Sequence, residues 1–76
     1  MARFSATFTV SATAGPVSIP GLRVGDVVLH VIDSVNGSES GGFASVVVVD
    51  DELIQFNGEP SVVDPFFVVV SREVMV

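Results

Sequence analysis

The opening segment of the chain alternates apolar and hydroxyl-bearing residues with a period of two. Positions 4–13 read FSATFTVSAT, with apolar side chains at the even positions and hydroxyls at the odd ones. An extended chain places these two sets on opposite faces, whereas a helix would distribute them around its surface. The pattern therefore predicts a half-buried β-strand with Phe4 and Phe8 on its buried face.

Further apolar segments, each bounded by turn residues, predict additional strands. They are 27–32, 43–49, 53–56 and 66–71, with a short extended piece at 17–19 and a continuation of the last strand through Val74, Met75 and Val76. Segment 27–32 is apolar on both faces, which is typical of a central or doubly covered strand. Segment 43–49 is predicted as a strand, and its four consecutive valines at 46–49 are expected to be buried on both faces, partly by another subunit or a host shell.

Four dipeptides between these segments predict turns: Gly25-Asp26, Asn36-Gly37, Asp50-Asp51 and Asn57-Gly58. In the first, Gly25 permits a tight turn and the Asp26 carboxylate is expected to accept hydrogen bonds from the turn backbone. Asn36-Gly37-Ser38 also matches a glycosylation sequon, but a hairpin turn is the better interpretation without a secretory signal.

The valine content supports the same fold class. The chain has 18 valines in 76 residues, and branched side chains favour pleated structure over helix. Stretches free of Gly and Pro show no helical apolar spacing over ten residues or more. The sequence predicts a single all-β domain over residues 1–76, an antiparallel sandwich or barrel of five to six short strands.

Charge and composition exclude several functions. The net charge is −6 and the only strong cations are three arginines, so nucleic acid is not an expected partner. Without cysteine, disulfides, thiolate zinc sites and thiol catalysis are impossible. The first residues are too polar for a signal peptide, and no apolar run is long enough to cross a membrane. We therefore expect a protein made in a cytoplasm and not bound to a membrane.

The size of the chain predicts assembly. In so small a domain, the free energy gained by burying apolar surface and the conformational entropy lost on folding are similar in magnitude. Such domains usually add disulfides, a metal or partner subunits. Cysteine is absent and the candidate metal ligands converge poorly, so partner subunits are the expected solution. The negative charge would keep a free subunit soluble before assembly.

Two groups of residues are candidates for chemistry. His30, the single histidine, would need an orienting carboxylate from Asp26, Asp33 or Glu52 to act as a general base. A histidine that is exposed or hydrogen-bonded on a sheet face is the favoured interpretation. Asp50, Asp51 and Glu52 could bind a hard cation, but adjacent strand residues point to opposite faces, so a solvated turn is favoured. No catalytic residue, metal ligand or cofactor is predicted.

Most of the chain resembles a known class of protein. The opening hydroxyl-alternating strand, PGLRVGDVVLHV at 20–31, the glycine-rich loop, DDELIQF at 50–56 and FFVVVSRE at 66–73 together resemble small virion proteins of tailed bacteriophages. Such proteins decorate capsids, form head fibres or sit on tails. The resemblance implies a homo-oligomer, often a trimer, that docks on capsid or tail subunits of a symmetric particle.

The sequence thus predicts a non-enzymatic structural virion protein, located in the virion after synthesis in the host bacterial cytoplasm. The alternative is a small β-barrel binding module that recognises a peptide or a small ligand. Residues on the predicted assembly strands are Phe4, Phe8, Val46, Val48, Phe66, Val68 and Val70.

Overall fold

A computed structural model describes residues 2–73. Its strands are β1 (Ala2–Thr9), β2 (Gly15–Ser18), β3 (Val27–Asp33), β4 (Glu52–Gln55) and β5 (Pro65–Arg72). The predicted all-β class is confirmed, because these residues form five antiparallel strands in two small sheets without a helix. The predicted continuation through Val74, Met75 and Val76 lies outside the described residues.

The larger sheet has the strand order β1-β5-β3. β1 and β5 pair along their whole length, so that Phe4 lies opposite Val70 and Phe8 opposite Phe66. The alternation in β1 places Phe4, Ala6 and Phe8 on the core side and the hydroxyls in solvent, as predicted. The sequence pattern alone therefore determines which face of β1 is buried.

The smaller sheet pairs β2 with β4, with Val17 opposite Leu53. These two side chains join inward-facing residues of the larger sheet, including Val31, Val68 and Val70, in one hydrophobic core. Both sheets therefore contribute to the same interior, as the two inner faces of a sandwich do.

The structure corrects the predicted position of segment 27–32. It forms β3 at one side of the sheet, and the central strand is β5, which is hydrogen-bonded on both sides. A register shift between Val28 and His30 makes Leu29 a β-bulge, and Val27 and Leu29 are exposed. Apolar residues on both faces indicated a covered strand, but here the second face is open to solvent.

Segment 43–49 is also corrected, because it is not a continuous strand. It makes isolated bridges from Phe43 to Gln55, from Val46 to Val27 and from Val49 to Glu52. The segment thus contacts β4 at both ends and β3 in its middle, so it does not pair continuously with either strand. Of its four valines only Val47 is buried.

Candidate functional site: the surface beside β3

Exposed valines lie together at the start of β3. Val27 and Val46 form an antiparallel bridge, and residues directly opposite in such a pair project to the same side. The valine patch consists of Val24, Val27, Val46 and Val48, which are 62%, 48%, 40% and 59% exposed. Because Val47 between them is buried, the segment presents Val46 and Val48 outward together.

Backbone hydrogen bonds fix the two segments that carry the valine patch. Gly25 N donates to Val47 O at 2.9 Å, Val47 N donates to Asp26 O at 2.9 Å, and Val28 N donates to Ser45 O at 2.9 Å. The valines are therefore displayed on paired backbone, and their exposure does not come from an unsupported loop.

Two carboxylates of the acidic turn attach it to the segment before β3. Asp50 Oδ1 accepts from Val24 N at 2.9 Å, and Asp51 Oδ1 accepts from Gly21 N at 2.8 Å. Asp51 has a φ of 64°, a left-handed conformation that aspartate tolerates better than most residues. The predicted turn at Asp50-Asp51 is confirmed, and these two side chains serve to hold loops together.

Beneath the valine patch lies an ion pair between Asp26 and Arg72. Arg72 Nε and Nη2 donate to the two carboxylate oxygens of Asp26 at 2.9 and 2.7 Å, and Asp26 is 2% exposed. Asp26 also accepts from Arg23 N, which confirms its predicted hydrogen bond to the turn backbone. The Arg72 hydrogen bond, helped by Arg23, outweighs burial and lowers the pKa of Asp26.

A cleft of about 440 Å³ opens along β3, beyond the bulge. Segment 38–46 is joined to β3 near both ends, by the Ile32–Glu39 and Val27–Val46 bridges. Between them it turns to the opposite sheet, where Ala44 N donates to Ile54 O. This separation of the two segments creates the cleft.

His30 and Glu39 form the polar side of this cleft. The His30 Nδ1 and Glu39 Oε1 atoms are 2.6 Å apart, and both side chains are more than half exposed. The ring of Phe43 lines the cleft and packs edge-on against Phe8, with centroids 5.6 Å apart. His30 is therefore exposed and hydrogen-bonded, as expected, but its partner is Glu39 and none of the three carboxylates considered from the sequence.

The predicted assembly residues do not lie together on the surface. Val46 and Val48 belong to the valine patch, whereas the side chains of Phe8, Phe66, Val68 and Val70 belong to the core. β5 is hydrogen-bonded to a strand on each side, so it offers no free edge to a partner. Phe4 is half-buried and faces Arg72, whose guanidinium carbon lies 5.0 Å from the ring centroid. Of the seven predicted residues, Val46 and Val48 are the exposed ones.

Sequence reasoning missed two buried polar connections. The first is Arg72, whose partner Asp26 is 46 positions away. The second is Gln55, which is 2% exposed and whose amide accepts from Ser11 N and donates to Ser11 O, both at 2.9 Å. The apolar environment of Gln55 in LIQF was the available signal, because a glutamine on a buried strand must find partners.

Residues 2–73 contain no group of three or more carboxylates or histidines arranged to hold a metal ion. Over the same residues, no helix is long and apolar enough to cross a membrane. The fold and surface define a small two-sheet all-β domain with an exposed valine patch. Compared with known protein families, characterised proteins and solved structures, the chain shows no significant match.

Proposed function

We propose that this protein is a non-enzymatic structural subunit that assembles with further copies of itself and docks on a larger symmetric particle. The observation that carries the proposal is the valine patch, held on paired backbone at one end of the sandwich. Contiguous exposed apolar surface in a small domain usually marks a place where another protein binds.

Two features of the described chain support a structural role over an enzymatic one. His30, the only imidazole, pairs with Glu39, and both side chains are more than half exposed. The acidic residues at 50 and 51 accept hydrogen bonds from the backbone of the neighbouring loop. These two carboxylates therefore help to hold in place the loop that carries part of the valine patch.

The proposed particle is the virion of a tailed bacteriophage, with capsid or tail subunits as docking partners. This part of the proposal rests on the resemblance of the segments at 20–31, 50–56 and 66–73 to small virion proteins. A small, acidic, cysteine-free β-domain with an exposed apolar patch suits that role, since it stays soluble until the patch is covered. The subunit would be made in the host cytoplasm and remain in the virion.

Sedimentation velocity over a range of protein concentrations tests the assembly part of the proposal. We expect a folded oligomer in the unmodified protein and a smaller folded species in Val48→Asp, because a carboxylate in the patch would be desolvated on association. A stable monomer of the unmodified protein at micromolar concentration would contradict the proposal.

Val35→Asp is the matched control for this experiment. Val35 is 65% exposed, like Val48, but it lies in the turn at the other end of β3, where its N–H donates to Asp33. The control should assemble like the unmodified protein. Equal loss of assembly in the two variants would mean that added negative charge, and not the patch, is responsible.

The cleft beside β3 supports a second candidate function, a binding module for a peptide or a small ligand. It combines an aromatic side chain, Phe43, with the ionisable pair His30 and Glu39. A library of short peptides and small polar compounds can be screened by amide chemical shifts. Shifts confined to His30, Gly41 and Phe43, and lost in His30→Gln, would favour this function. Absence of such shifts would remove the binding function and leave the structural role as the only candidate.

A further inference from the structure

The larger sheet has two edges that differ in how they are protected. The β3 edge carries a bulge at Leu29 and is bridged at two points by segment 38–46. β1 is the outermost strand on the other side, and among residues 2–73 only β5 pairs with it. Its eight residues pair without a register shift and contain no proline or glycine. A long regular edge of this kind is competent to pair with another strand.

We propose that β1 pairs antiparallel with β1 of a second copy of the chain, about a two-fold axis that passes beside Ala6. The pairing joins two three-stranded sheets into one continuous sheet of six strands, in the order β3-β5-β1-β1-β5-β3. This inference rests on the proposed function, because it names a surface, in addition to the valine patch, through which the subunit would bind itself.

The side-chain pattern of β1 selects this register. In an antiparallel pair of β1 strands, residues that lie opposite each other project to the same face of the sheet. Their residue numbers are therefore both even or both odd, and each register can be identified by the sum of the two numbers, which is even. A sum of 12 pairs Phe4 with Phe8 on the core side and Ser5 with Thr7 on the solvent side. A sum of 10 would place Phe4 opposite Ala6 and lose both aromatic pairs. Aromatic pairs and hydroxyl pairs are the favourable combinations across strands.

Charge favours a second copy at this edge over any other part of the sheet. Two copies of a chain with a net charge of −6 repel each other, so their contact needs a surface without carboxylates. β1 has none, and its one ionisable side chain is Arg3. In the proposed register Arg3 lies opposite Thr9, so the pairing brings no like charges into direct opposition.

Single-cysteine variants test the register, and the absence of native cysteine makes the readout unambiguous. In the proposed register the two Ala6 residues lie directly opposite, with Cα atoms about 4.5–5.5 Å apart, a distance that a disulfide spans. Ala6→Cys should therefore form a covalent dimer under mild oxidation. Ser5→Cys is the control for the competing register with a sum of 10, in which Ser5 would oppose itself. Cross-linking of Ser5→Cys but not of Ala6→Cys would overturn the proposal.

Charge variants of the two hydroxyl positions provide a second test without oxidation. Ser5→Lys with Thr7→Lys places like charges opposite each other in both halves of the pairing, whereas Ser5→Lys with Thr7→Glu places opposite charges there. The first pair of substitutions should raise the dimer dissociation constant about tenfold relative to the second. Both substituted side chains are exposed on the solvent face, so both variants should fold.

The outcomes separate this inference from the proposed function. Retained assembly of the double-lysine variant, with no Ala6→Cys cross-link, overturns pairing through β1 and leaves assembly through the valine patch standing. A cross-linked Ala6→Cys dimer in which Val48→Asp has no effect supports β1 and removes the assembly role of the patch. Cross-linking of β1 to an added host or particle protein, in place of a second copy, also overturns the inference.

Discussion

Arg72, near the end of β5, donates two hydrogen bonds to the carboxylate of Asp26, at the turn before β3. A third hydrogen bond runs from Arg72 Nη2 to Gly21 O at 2.8 Å, and the guanidinium also lies over the ring of Phe4. One side chain thus connects the central strand, the loop beneath the valine patch and the inner face of β1. The two proposed interaction surfaces share this support.

The first prediction concerns acid stability. The pKa of Asp26 lies below its ordinary value of 3.8, chiefly because of the Arg72 hydrogen bond. A carboxyl whose pKa is lower in the folded state stabilises the protein above the unfolded-state pKa, and this contribution is lost as the pH falls through the folded-state value. The free energy of unfolding should therefore hold steady down to about pH 4 and fall below it. Urea unfolding at a series of pH values measures this.

Asp26→Asn supplies the comparison for that experiment. It keeps the shape of the side chain but removes the charge, so at neutral pH it should lower the free energy of unfolding by about 1–3 kcal/mol. The acid limb of its stability curve, meaning the fall in the free energy of unfolding below about pH 4, should be shallower than that of the unmodified protein. Asp33 also has a lowered pKa, since hydrogen bonds from Val35 and Asn36 outweigh the opposing effect of burial. Some acid dependence should therefore persist in Asp26→Asn, and an unchanged acid limb would contradict the role of Asp26.

A second prediction separates backbone strain from a side-chain clash. Gly21 and Gly25 have φ values of 104° and 95°, which favour glycine. A Cβ at Gly21 would collide with Phe4 Cζ, whereas none of the surrounding atoms lies within 4 Å of a Cβ at Gly25. Gly25→Ala should cost about 1–2 kcal/mol from strain alone. Gly21→Ala should cost about 1–3 kcal/mol more, because the ring must move.

Thermal and urea unfolding of the two alanine variants check this difference. In Gly21→Ala the displaced Phe4 ring should also weaken the contact with Arg72, so the acid limb should change along with stability. Equal destabilisation of the two variants would mean that the Phe4 ring adapts without cost.

The third prediction concerns Gln55, which holds the chain after β1 against β4. Gln55→Met fills a similar volume but leaves Ser11 N and Ser11 O without this partner. It should lower the free energy of unfolding by about 2–3 kcal/mol, the cost of leaving buried polar groups unsatisfied. Gln55→Glu should be destabilised at neutral pH and recover relative to Gln55→Met on acidification, because only the protonated carboxyl can donate. Urea unfolding at two pH values distinguishes the variants.

The fourth prediction concerns the left-handed residue Asp51. Asp51→Asn keeps an oxygen acceptor for Gly21 N and a residue that tolerates this conformation, so its stability should change little. Asp51→Val loses the acceptor and places a β-branched residue in a strained conformation. It should cost about 2 kcal/mol or more. If the two variants unfold at the same urea concentration, neither the hydrogen bond nor the backbone conformation is important there.

Local sequence predicted some of these structural features and not others. The alternation at 4–13 identified the buried face of β1, and the glycine and aspartate at 25 and 26 identified a turn with a hydrogen-bonded carboxylate. The pairing of Arg72 with Asp26 could not be predicted, because nothing local to either residue specifies a partner 46 positions away. The four valines at 46–49 were misleading for a related reason: valine favours extended backbone but does not specify its neighbour.

The sequence by itself determined that this protein is built from β-strands, because period-two alternation, branched side chains and turn dipeptides each act within a few residues. It also determined the acidic charge and the absence of thiol chemistry. Only the tertiary structure decided that β5 is central, that β3 and β1 lie at the edges, and that Val46 and Val48 are exposed while Val68 and Val70 are buried. Strand order depends on contacts between distant segments, and all these segments are similarly rich in valine.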